Sequence, residues 1–109
     1  MKINKEDFPL YDLIAQSDNP GRISMREAFE AACRGGDEEQ YSFALGMQGV
    51  ALNVAPSLIA PGREDEVMAA IYKTLPSCFK VFQAVAAGTS SRAESARHMV
   101  SYCQRELGL

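Results

Sequence analysis

A chain of 109 residues with 23% charged residues and a net charge of −3 holds one domain with a core of its own. The mild acidity argues against a dedicated nucleic-acid binder, which carries a basic face, and against an anionic membrane surface as partner. Cys33, Cys78 and Cys103 are odd in number, far apart and without a CxxC pair, which is neither a disulfide framework nor a zinc site. Each falls on an apolar helix face, so all three are expected as buried, reduced thiols of a cytoplasmic protein.

Residues Met1 to Asp7 are polar, read as loose, and lack the apolar core of a signal peptide. Phe8 to Gln16 reads as a short helix, with Pro9 in its first turn and Leu10, Leu13 and Ile14 on one face. Ser17 to Arg22 is a turn cluster containing Asn-Pro and Gly. Ser24 and Glu27 have the spacing of a capping box, which predicts a helix beginning after Ser24. Met25, Ala28, Phe29, Ala32 and Cys33 form its apolar face, and Gly35-Gly36 is expected to close it with a left-handed cap.

The stretch from Glu38 to Ala55 reads as one helix that is apolar on two opposite sides. Tyr41, Leu45 and Leu52 share one stripe, and Phe43, Met47, Val50 and Val54 share the other. A surface helix of a small domain shows one apolar stripe, so this one is expected at the centre of the bundle or facing a second chain. Asp37 is its expected cap, followed by Glu38 and Glu39 at the positive end of the helix dipole. Gly46 and Gly49 lie inside it, where each costs about 1 kcal/mol relative to alanine. Close approach of another segment is the expected reason.

Pro56 to Arg63 reads as a proline-bounded loop carrying Leu58 and Ile59. Asn53, Pro56 and Pro61 interrupt the weakly polar run around it, which cannot span a bilayer. Glu64, Asp65 and Glu66 open a further helix whose buried face is Val67, Met68, Ile71, Tyr72 and Leu75, ended or kinked by Pro76. Ser77 to Ala87 is expected as a separate helix closed by Gly88. The last helix runs from about Arg92 to Leu107, with a second capping-box pattern at Ser91 and Glu94. Ala93, Ala96, Val100, Cys103 and Leu107 make a narrow seam suited to an antiparallel neighbour. No segment alternates in the manner of a strand. The fold class is therefore all-α: a single domain of five or six helices in a compact bundle around the helix at 38–55.

Residues with chemical potential have structural explanations. His98, the only histidine, has Glu94 one turn away and points to solvent, where an ion pair is expected. No nucleophile, metal-ligand cluster or phosphate loop accompanies it. A helix-turn-helix across Gly35-Gly36 would present Glu38, Glu39 and Gln40 to DNA, the wrong sign for a phosphate backbone. No catalytic, cofactor or metal residues are assigned. Two apolar sets remain in surplus: Leu10, Tyr11 and Ile14, and the stripe of Phe43, Met47, Val50 and Val54. They are the candidate partner-binding residues. The functional expectation is a small regulatory protein that binds another protein, as an inhibitor or anti-activator masking its surface, and forms a homodimer. A DNA-binding regulator and a small enzyme are the alternatives.

Overall fold

The computed structural model describes all 109 residues. Six α-helices follow a 3-10 turn at Lys5–Asp7: α1 Pro9–Ala15, α2 Arg22–Arg34, α3 Asp37–Asn53, α4 Pro56–Ile59, α5 Glu64–Ala86 and α6 Ala93–Leu107. No strand is present, and no helix is long and apolar enough to cross a membrane. The molecule measures 43 × 30 × 20 Å. Its thinnest dimension admits two layers of helices, each about 10 Å across. α3 and α5 form the centre: α3 packs against α1, α2 and α5, and α5 packs against α1, α3, α4 and α6.

The first seven residues, read as loose, are seated on the bundle. Ile3 is buried, and the Gln40 side-chain amide donates to the Met1 carbonyl at 2.6 Å. α1 begins at Pro9, whose missing N–H is no loss in a first turn. The next free amide, Leu10 N–H, is satisfied by the Thr74 hydroxyl of α5 at 3.2 Å. Thr74 is fully buried, so this bond ties the start of α1 to the middle of α5.

Neither capping box forms. α2 starts at Arg22, two residues before the expected cap, because the Asn19 side chain accepts the Gly21 amide at 2.8 Å and closes the turn earlier. Ser24 Oγ instead donates to the Gly21 carbonyl. At α6, Ser91 Oγ donates to the Glu38 carboxylate of α3, so it cannot serve Glu94. The Gly35-Gly36 link is extended, with φ of −96° and −109°, and is no left-handed cap. The reason for Gly35 is space: a Cβ there would lie 2.6 Å from the Glu39 carboxyl carbon, where that side chain accepts the Gly36 amide at 3.0 Å. Gly36, not Asp37, is the N-cap of α3.

Pro76 does not divide its helix. α5 continues through it for 23 residues, so the two helices expected here are one. The carbonyl that loses its partner belongs to Tyr72, which is 70% exposed, and water can satisfy it. Val67, Ile71, Cys78, Phe82 and Val85 meanwhile hold both halves against the core. Tyr72, expected in that buried face, lies on the outer side. The segment expected as a loop at Pro56 contains the one-turn α4, with Ile59 buried and Leu58 exposed. α6 returns along α5 after the link at 87–92, with Ala93, Ala96 and Cys103 buried in its seam.

Candidate protein-binding face

The surplus apolar sets read from the sequence cover each other. Phe43 is fully buried and sits among Phe8, Tyr11 and Phe29, with ring centroids 5.1, 5.9 and 5.6 Å away. Tyr11 stacks on Phe29 at 4.4 Å. Met47 and Leu10 are also fully buried, Tyr11 and Ile14 nearly so. Val50 and Val54 are half-buried against the same core. The stripe assigned to a partner is thus filled by α1 and α2 of the same chain. Neither Phe43 and Met47 nor Leu10, Tyr11 and Ile14 present a surface on the folded chain. The physical reason is that α1, too short to stand alone, needs this stripe as its own cover.

On the opposite stripe, Tyr41 is buried with its ring 5.7 Å from Phe82 of α5. Leu45 and Leu52, assigned to the same side, are each 40% exposed. Between them on the helix, Gln48 is buried. Its amide nitrogen donates to the Met99 sulfur at 3.3 Å, and its carbonyl accepts from the Cys103 thiol at 3.2 Å. Gln48 thereby sets α6 beside α3, with Leu45 and Leu52 one to two turns apart along the seam and the half-exposed Tyr102 on the α6 bank.

The outward side of α3 carries Ser42, Gly46, Gly49 and Asn53 in line. Gly46 and Gly49 are not there for a close approach within the chain. A Cβ at Gly49 would meet nothing within 4 Å, and one at Gly46 only the tip of Met25 at an ordinary 3.5 Å. On the α2 bank a shallow groove of about 250 Å³ is lined by Ala28, Ala31 and Ser42, with Glu38, Glu39 and Arg92 at one end. From Gln40 to Gly62 there is no charged residue. The face is therefore exposed, neutral and partly apolar, in a helix whose interior glycines cost stability with no neighbour to explain them.

Other parts of the surface carry less. A groove of about 460 Å³ between α1 and α5 is rimmed by Asp12, Arg63, Glu66 and Lys73, and Arg63 and Glu66 are bound to each other at 2.7 Å. That contact pulls the Glu66 carboxyl below its ordinary range. His98 is exposed as expected, but the ion pairs of the structure do not include one with Glu94. Cys33, expected to be buried, is exposed on α2; Cys78 and Cys103 are buried. Burial pushes the Cys78 thiol up to about 12 and also raises Cys103. No three His, Cys, Asp or Glu side chains converge to hold a metal ion, and no buried side-chain nitrogen or oxygen lacks a partner.

The fold and this face define an all-α bundle with one neutral helix face turned outward. Comparison with protein-family models, with curated proteins and with solved structures found no match.

Proposed function

We propose that the protein acts by binding another protein through the outer face of α3, as a small regulatory protein that masks its partner's surface. The observation that carries this reading is the neutral face itself. It holds two exposed leucines, Leu45 and Leu52, and two interior glycines without intramolecular neighbours, in a stretch without charge from Gln40 to Gly62. A helix that is apolar around its whole circumference gains by being covered, and depletion of charge is the compositional mark of an interface core. Three free thiols suit a reducing compartment, so the cytoplasm belongs to the same proposal.

A DNA-binding reading through α2 and α3 has less support. α3 begins with Asp37, Glu38 and Glu39, and Gln40 is turned inward onto the Met1 carbonyl.

The reading is tested with a photo-crosslinking residue placed at Leu52, on the face, or at Lys73, exposed on α5, in the native host. Protein adducts from position 52 and few from position 73 are expected. Equal yields from the two positions, or none from 52, contradict the proposal.

A further inference from the structure

We infer that the protein covering the outer face of α3 is a second copy of this chain, laid antiparallel so that Gly46 of each copy meets Gly49 of the other. The inference rests on the reading that this face binds protein, and adds the partner and its orientation.

Charge gives the first argument. Each copy carries −3, so two copies approach most readily where no charge is present. That condition is met along α3 from Gln40 onward. Orientation follows from the acidic start of the helix. A parallel pairing sets Asp37, Glu38 and Glu39 against the same residues of the second copy, with the two helix dipoles aligned. An antiparallel pairing sets Glu38 and Glu39 beyond Asn53 of the second copy, level with the uncharged Pro56 and Ser57, and opposes the dipoles.

Register gives the second argument. A two-fold interface must match a surface to itself. With the axis midway between Met47 and Gln48 along the helix, Gly46 faces Gly49 of the second copy and Ser42 faces Asn53. Leu45 then falls about 3 Å along the helix from the level of Leu52 of the second copy, on the same bank, twice over. The small residues let the two helix axes come close, and the leucines close the edge of the contact. The glycines that no neighbour explains within the chain have a place in this assembly: a Cβ at either position would stand in the crossing point.

Sedimentation and crosslinking test this together. At hundreds of micromolar the wild-type chain should sediment as a dimer. Replacing both glycines, Gly46→Ala with Gly49→Ala, should weaken the dimer by about tenfold or more. The same variant, unfolded with urea at a concentration where the chain is monomeric, should be more stable than wild type. Opposite signs in the two measurements separate loss of contact from loss of fold. In a Cys33→Ser background, Ser42→Cys chains mixed with Asn53→Cys chains should form mixed disulfides. Neither should crosslink with itself, because like positions lie about 16 Å apart along the pair. A strict monomer, a dimer indifferent to the glycine substitutions, or self-crosslinking of Ser42→Cys chains each overturns the inference. A strict monomer that still gives adducts with a different protein from position 52 overturns the self-pairing and leaves the binding reading standing.

Discussion

Phe43 joins three helices through one ring. It touches Phe8 and Tyr11 of the N-terminal segment and Phe29 of α2 from its own place on α3. Phe43→Ala should cost about 3–5 kcal/mol, a large share of the roughly 5–15 kcal/mol that keeps a domain folded; chemical denaturation measures it. Thr74→Val should cost about 1–3 kcal/mol, because the buried Leu10 amide then loses its acceptor. Thr74→Ser, which keeps the hydroxyl, should recover most of that loss. The thiols set an alkaline limit. Unfolded cysteine loses its proton near 9, whereas Cys78 in the folded chain keeps it up to about 12. The folded pKa is the higher one, so its contribution is complete below pH 9 and falls as pH rises from there towards 12. The slope is about 1.4 kcal/mol per pH unit for this group. Urea melts between pH 8 and 10.5 should show it, and Cys78→Ala should flatten it. In native protein at neutral pH only Cys33 should react with a thiol reagent; equal labelling of all three cysteines would contradict the buried placement of Cys78 and Cys103.

At the scale of the element, α5 is the long helix that two readings of Pro76 would shorten. The proline interrupts one solvent-side hydrogen bond and leaves the buried arc on either side intact. Pro76→Ala should therefore stabilise the chain, by up to about 3 kcal/mol if the existing bend carries no packing of its own; an unchanged or lower unfolding free energy would mean that the bend is required. Gly88 shows the reverse case. A Cβ there would lie 2.6 Å from the Asp37 carboxylate and 3.4 Å from the Val85 carbonyl, so Gly88→Ala should destabilise the junction of α3, α5 and α6. Much of this level was legible in the sequence. Hydrophobic period located every long helix, and Pro9, Gly35-Gly36, Pro56 and Gly88 marked ends. The helix starts were less legible because caps are decided by tertiary competition: Ser91 serves Glu38 across the bundle rather than its own helix, and Asn19 closes a turn before Ser24 can act. Pro76 was ambiguous for the same reason, since the exposure of the Tyr72 carbonyl depends on the side of α5 that the core takes.

For the molecule as a whole, two apolar surpluses cancel. The set on α1 covers the Phe43 stripe of α3, and periodicity alone cannot pair one surplus with another. What remains exposed lay within the same helix, as Leu45, Leu52, Gly46 and Gly49, and its cause is thickness. A body 20 Å thin has two helix layers, so α3 is covered on the inside and open on the outside. The lack of charge from Gln40 to Gly62 was readable from the start; which side of the helix it leaves outward was not. The central claim is that this outer face serves binding and not the core. It is tested most directly by Leu45→Asp with Leu52→Asp, measured at once for unfolding free energy and for partner adducts from a photo-crosslinking residue at Ser42. The account predicts a stability change within about 0.5 kcal/mol per substitution, as for exposed positions, together with loss of the adducts that the unsubstituted chain gives from the same position. A collapse of stability, or adducts that persist at full yield, would contradict it.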